Sequence, residues 1–154
     1  MEITTTIIGV ILLGFFFAPM YYVNKRSKIL NTKKQLNLKK MALENGFTVD
    51  DCEAFGDKAI GIDKTKLAIV FASGKELKDE FKIIVLGSVK KCSLNKVARV
   101  MGHTTVIDFV GIDFWLKDNS PKITLELYNG EKTLQLNSEL QIAEKWVKLI
   151  NQFI

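Results

Sequence analysis

"PKITLELYNGEKTLQL", Pro121 to Leu136, is the stretch on which the fold class turns. In its first half Ile123, Leu125 and Leu127 alternate with Lys122, Thr124 and Glu126, the period-two pattern of a strand with one face in a core. Asn129-Gly130 is the residue pair that a two-residue type I′ hairpin turn demands. A returning strand, "EKTLQLN", is expected to point Leu134 and Leu136 inward. Directly afterwards the period changes to 3.6. Ser138 and Gln141 have capping-box spacing. Leu140, Ala143, Val147, Ile150 and Ile154 make one stripe, widened by Ile142, Trp146, Leu149 and Phe153. Residues 138–154 therefore read as an amphipathic helix with a broad apolar face, which needs a sheet to cover.

Upstream, the same alternation recurs. Ile60 and Ile62 alternate in "KAIGIDK", and Leu67, Ile69 and Phe71 share a face of "KLAIVFA" after an Asp63-Lys64-Thr65 turn. "FKIIVLGSV" supplies Phe81, Ile83 and Val85, and "KKCSLNKVA" continues as a more polar strand. "TTVIDFVGIDFWLK" is long enough to cross a whole sheet, with Gly111 marking a bulge or bend. Asp118-Asn119-Ser120-Pro121 is a turn. About seven strands joined mostly by hairpins, then a helix, make the body an α+β fold.

Here the sequence resembles the bacterial pleckstrin-homology-like domains. The features that carry the resemblance are the early "KAIGIDKTKLAIVF" hairpin, the "PKITLELYNGEKTLQL" hairpin and the closing "AEKWVKLINQFI" helix with Trp146. The resemblance covers roughly residues 57–154 and implies a seven-stranded antiparallel, half-open β-barrel closed by the C-terminal helix. It also implies a binding module for lipids, peptides or proteins. The lipid-binding members carry several bases around the first hairpin. Here Lys58, Lys64 and Lys66 are offset by Asp57 and Asp63, so inositol-phosphate recognition is not transferred. An open strand edge or a loop face is the expected contact.

The N-terminal part obeys different rules. "ITTTIIGVILLGFFFAPMYYV", Ile3 to Val23, contains no charged residue. As a helix it would reach about 31 Å, the thickness of a bilayer's hydrocarbon core. Tyr21 and Tyr22 sit where an interfacial aromatic belt belongs, and Pro19 falls in the last turn or so, where one lost N–H costs less than it does mid-span. A cleaved signal peptide would want a basic start, a shorter apolar run and small residues before the cut. Residues 1–23 are accordingly expected to be a transmembrane anchor.

Residues 24–45 follow with seven bases (Lys25, Arg26, Lys28, Lys33, Lys34, Lys39, Lys40) against one acid, Glu44, while residues 46–154 hold fifteen of each. The chain's net +5 thus belongs to one segment. Lysine and arginine near a span are retained on the cytoplasmic side. A single pass through the inner (plasma) membrane follows, N-terminus outside and residues 24–154 cytoplasmic. Lys25, Arg26, Lys28, Lys33 and Lys34 are the candidate contacts to anionic head groups, at about 1 kcal/mol each near the surface. The stripe Ile29, Leu36, Leu43 lacks the companions of a coiled coil and shares its arc with Lys33 and Lys40, untidy for a membrane-surface helix. Interleaved aromatics for nucleic-acid binding are absent. The segment reads as a solvated helical stalk leading to a domain at 46–154, with Gly46 ending the helix and Asp50-Asp51 as cap or turn residues.

Little in the sequence speaks for chemistry. His103 is the single histidine and reads as a turn residue, without the partners that metal sites and nucleophile systems need. Cys52 and Cys92, forty residues apart, read as reduced thiols. Asp108 and Asp113 in their apolar strand are expected on an exposed sheet face. Trp146 is assigned to the core, and Trp115 to either core or contact surface. No catalytic residue, cofactor or metal ligand is assigned. The expectation is a membrane-anchored interaction module for a protein or peptide partner, not an enzyme. The alternative is an accessory subunit of a membrane complex assembled through the span, with Gly9 and Gly14 allowing close approach.

Overall fold

The computed structural model describes the backbone at residues 3–118, 120–133 and 135–154, and the side chains there except at 3–7, 9, 10, 16, 20 and 24. Helix α1 runs unbroken over Ile3–Glu44, 42 residues with Pro19 inside, a rod of about 63 Å. Its C-terminus is closed by Gly46 in the left-handed region, φ 82°. The Gly46 N–H donates to the Leu43 carbonyl (2.9 Å) and the Phe47 N–H to the Ala42 carbonyl (2.9 Å). This is a Schellman motif, and Phe47 packs beside Ala42 as such motifs favour. Among the described residues no helix is long and apolar enough to cross a membrane. Nine of the positions from Ile3 to Val23 have side chains outside that description, and the expected span falls partly on them.

Seven antiparallel strands follow in two sheets. β1 (Asp51–Phe55), β2 (Lys58–Asp63), β3 (Ala68–Ser73) and β4 (Glu80–Val85) form a four-stranded meander; β5 (Val89–Met101), β6 (Thr104–Leu116) and β7 (Ile123–Asn129) form a three-stranded one. Helix α2 spans Glu139–Ile150. No ladder among the described residues joins the sheets into a closed barrel. The main core lies between them, with Phe55, Ile60, Ile62, Ile69 and Phe71 facing Val110, Ile112, Phe114, Leu125 and Leu127, and with Ile142, Trp146 and Ile150 of α2 inserted. Two ties fix α2: Trp146 Nε1 donates to Glu53 (3.1 Å) and Asn151 Nδ2 to the Cys92 carbonyl (3.0 Å).

The strand count agrees with the sequence reading, but two members differ. "DCEAF", whose Asp51 is expected as a cap or turn residue, is β1, and every one of its residues pairs with β2. "EKTLQLN", read as a returning strand, forms none at its described positions; Leu134 lies outside them, and Leu136 is half-buried against the core. Asn129 explains the outcome. Its Oδ1 accepts from the Glu131 N–H (3.0 Å), its carbonyl accepts from Lys132 (3.0 Å) and Thr133 (2.9 Å), and the Gly130 N–H goes to Asp108 (2.8 Å). That set of bonds turns the chain towards α2 instead of folding it back on β7. The capping box does not form either: the Ser138 side chain makes no cap bond, and Glu139 instead accepts from the Asn137 N–H at 2.6 Å.

The largest departure concerns the stalk. Residues 24–45 are not all solvated. Leu38 and Ala42 are fully buried on the outer face of the four-stranded sheet, against Val49, Ala54, Ala59, Val70, Ala72 and Leu77. Both faces of that sheet are therefore covered, which is why β2 and β3 are buried almost throughout. Small residues on the outer face let the helix come close. A Cβ on Gly61 would stand 2.6 Å from Val49 Cγ1. The stripe Ile29, Leu36, Leu43, the one apolar by sequence, faces solvent. The packed stripe is Asn31, Lys34, Gln35, Leu38, Met41, Ala42, at helical spacing.

Candidate functional site

Three places on the molecule merit a functional reading, and the basic segment comes first. Lys25, Arg26, Lys28 and Lys33 are exposed. Lys34 differs, since it is half-buried and its Nζ donates to the carbonyl of Gly56 in the β1–β2 turn. This contact fixes direction: α1 leaves the body past the β1–β2 turn. Ser27, Leu30 and Asn31 line a shallow pocket there with Phe55, Gly56 and Ser138. Beyond it, Tyr21, Tyr22, Lys25 and Arg26 lie together on the free part of the helix.

The second place is a cleft of about 520 Å³ at the seam between β4 and β7, lined by Asp57, Lys58, Asp79, Glu80, Glu126 and Lys132 among others. Its charges are largely answered from within: Lys58 pairs with Asp57 (2.7 Å) and Lys132 with Glu126 (2.7 Å). Burial pushes the Glu126 carboxyl up, but the Lys132 and Asn129 hydrogen bonds outweigh it and leave its pKa lowered. Among the described residues no group of acidic, histidine or cysteine side chains is placed to hold a metal.

The third place is the outer face of the three-stranded sheet. Trp115 is 45% exposed there, and with Lys90, Lys91, Ser93, Pro121 and Lys122 it borders a depression of about 630 Å³. A buried carboxylate builds it. Asp113, expected on an exposed face, is 5% exposed; it accepts from Lys122 Nζ (2.6 Å), Thr124 Oγ1 (2.6 Å) and Asn95 Nδ2 (3.3 Å). Burial acts to raise its pKa, yet those three bonds and the Lys122 charge hold it below the usual carboxylate range. The network sets Lys122 Nζ 5.4 Å from the centroid of the Trp115 ring, a cation–π distance. The indole Nε1 donates weakly to Ser93 Oγ (3.4 Å). The result is a fixed aromatic plate among lysines.

The remaining sequence candidates disperse. His103 sits exposed in the β5–β6 turn. Asp108 pairs with Arg99 Nε at 3.2 Å. Asp50 accepts from the Lys64 N–H (2.7 Å), a turn role as expected, while Asp51 pairs in β1. Both cysteines are free. Burial, with some help from the Asp113 charge, pushes the Cys92 thiol up to about 12. Asp63, expected only as a turn residue, is a buried carboxylate that accepts from the N–H groups of Thr48 (2.8 Å), Thr65 (2.9 Å) and Lys66 (2.8 Å). It ties the α1–β1 connection to the β2–β3 turn. Compared with protein-family models, curated proteins and solved structures, the chain matches none.

Proposed function

We propose that this chain is a membrane-anchored interaction module. Residues 3–23 cross the inner membrane with the N-terminus outside, residues 24–154 are cytoplasmic, and the body is a pleckstrin-homology-like domain. The Trp115 shelf takes an acidic segment of a protein partner. The observation that carries the reading is the continuity of α1: one helix extends from the charge-free stretch into packing at Leu38 and Ala42. An anchor joined in this way cannot swivel freely against its domain, and confinement to the bilayer raises the domain's concentration for partners on the same surface.

The four-plus-three arrangement of strands with a closing helix supports the pleckstrin-homology-like part. The partner part is supported by the shelf itself. An exposed tryptophan held in one orientation loses little freedom on binding, and tryptophan dominates contact energetics where it occurs at interfaces. Lys90 and Lys91 beside it, with Lys122 already paired to Asp113, favour negative charge. The shelf lies at the Leu116 end of β6, the end opposite the β5–β6 turn.

A reporter enzyme fused after Ile154 tests the topology. Activity confined to the cytoplasmic side is expected, and activity only outside the membrane overturns it. For the shelf, the full chain in detergent micelles is passed over an array of peptides graded in Asp and Glu content. Retention should rise with acidity and be lost both in Trp115→Ala and in Lys91→Glu; Lys91 is exposed, and its replacement should change stability by no more than about 0.5 kcal/mol. Retention equal to that of the unsubstituted chain would remove the shelf from the proposal.

A further inference from the structure

β5 and β6 are 13 residues each, but β7 pairs with β6 only from Phe109 to Phe114. The ladder between β5 and β6 continues past that point through Ala98↔Ile107, Arg99↔Val106 and Val100↔Thr105 to Met101↔Thr104. A two-stranded ribbon therefore projects from the body, closed by Gly102 (φ 62°) and His103. Isolated ribbons of this kind are marginal in water, and this one exposes apolar side chains: Val97 at 52%, Val100 at 75% and Met101 at 59%. Arg99 lies on it, paired with Asp108 at 3.2 Å, and Lys96 stands at its root opposite Val110. From residue 81 to residue 107 the sequence has five bases and no acid, so the charge balance of the whole domain conceals a local positive run.

The direction of the ribbon follows from its root. Phe109, where it leaves the body, lines the seam cleft together with Asp57, Gly74 and Asp79. Asp57 is the neighbour of Gly56 in the β1–β2 turn, which α1 passes as it leaves the domain. Ribbon and anchor thus depart from the same end. From Lys34 to Tyr22 the helix covers about 18 Å at 1.5 Å per residue. From Phe109 to Thr104 the ribbon covers about 17 Å at 3.4 Å per residue. The two lengths match, so a ribbon held parallel to α1 would bring its tip to the level of Tyr21 and Tyr22.

We propose that the β5–β6 tip, through Val100 and Met101 with Arg99 beside them and Lys96 nearer the root, inserts into the surface of the anionic membrane that α1 crosses. The tip is a second point of contact that fixes the domain's rotation about the anchor and turns the Trp115 shelf away from the bilayer. Apolar side chains enter the boundary between head groups and acyl chains, while the flanking bases meet anionic head groups. This rests on the membrane reading of residues 3–23.

The test uses the full chain reconstituted in phosphatidylglycerol-containing vesicles, with Val100→Trp as the probe and lipids brominated near the head of the acyl chain as quencher. The unsubstituted chain, whose Trp115 and Trp146 lie elsewhere, gives the background. The expected result is quenching of the added tryptophan, lost when Lys96→Glu is combined with it, in a chain that resists carbonate extraction. Resistance to carbonate without quenching overturns the tip contact and leaves the anchor standing. Release by carbonate overturns the anchor and the tip contact with it. Equal quenching in purely zwitterionic vesicles shows insertion driven by the introduced indole and overturns the proposal. Unquenched, blue-shifted emission that grows with protein concentration assigns the tip to a second copy of the chain and overturns it as well.

Discussion

Replacing Leu38 by alanine removes the side chain through which α1 is packed into the domain. Leu38 is fully buried in a cluster with Ala54, Ala59, Val70 and Ala72 of the sheet, Ala42 on its own helix, and Val49 and Leu77 from the connections. Alanine has no further torsion with which to fill a void, so the hole left by the lost isobutyl group stays open. Leucine-to-alanine losses run from about 2 to 5 kcal/mol according to how far the site collapses. A site walled by small residues belongs in the upper half, about 3–4 kcal/mol. With a urea dependence of about 2 kcal/mol per molar for a domain of this size, the midpoint should fall by about 1.5–2 M for the full chain in micelles. Amide exchange at Met41 and Ala42 should accelerate alongside. Lys39→Ala, one position on and exposed, is the control and should stay within about 0.5 kcal/mol. If Leu38→Ala moves the midpoint no further than Lys39→Ala, the helix is not part of the folded unit and the rigid coupling of α1 to the sheet is refuted.

Three further outcomes are expected. Asp63→Ala leaves the Thr48, Thr65 and Lys66 N–H groups without their acceptor and should cost about 1–3 kcal/mol or more; denaturation with an unchanged midpoint would refute that. Burial works to raise the Asp63 pKa, but the three N–H bonds and the Lys66 charge prevail and it is lowered in the fold. Its stabilisation is therefore complete above the unfolded carboxyl value near 4 and is lost as pH falls through the lower folded value. The acid limb of the stability profile should flatten in Asp63→Ala. Thiol labelling in mild alkali should modify half-buried Cys52 and spare Cys92, whose pKa is pushed up to about 12, until the chain is unfolded. Equal labelling rates in the native state would contradict the burial of Cys92.

Much of the architecture is legible along the chain because it depends on one-sided burial. β7 and α2 each show the core one face, and the alternation of Ile123, Leu125 and Leu127 or the stripe through Ala143, Trp146 and Ile150 reports that face directly. β2 and β3 are buried on both sides, and the run "LAIVFA" was correspondingly less informative about what lay behind it. β1 is short and begins with Asp51, so local composition favoured a turn; its place is set by pairing to β2. The sequence leads one to expect Asp113 on an exposed face because a carboxylate among apolar neighbours is costly unless answered, and its answers come from Asn95 on β5, Thr124 on β7 and Lys122 just before β7.

What the sequence settled by itself is periodicity and charge: an α+β body, a charge-free stretch of residues 3–23, a basic segment after it, and the inward faces of β7 and α2. Each is a property of neighbouring residues and survives without knowledge of the partner. Tertiary structure alone decided which side of α1 meets the sheet, that Lys34 turns to Gly56, that Asp113 is buried beneath the Trp115 shelf, and that the β5–β6 ribbon leaves the body at the same end as α1. These depend on surfaces from distant parts of the chain meeting. Leu38 and Ala42 occupy a helix face that is mostly polar by composition, and only an alanine-rich sheet arriving from elsewhere makes that face the buried one.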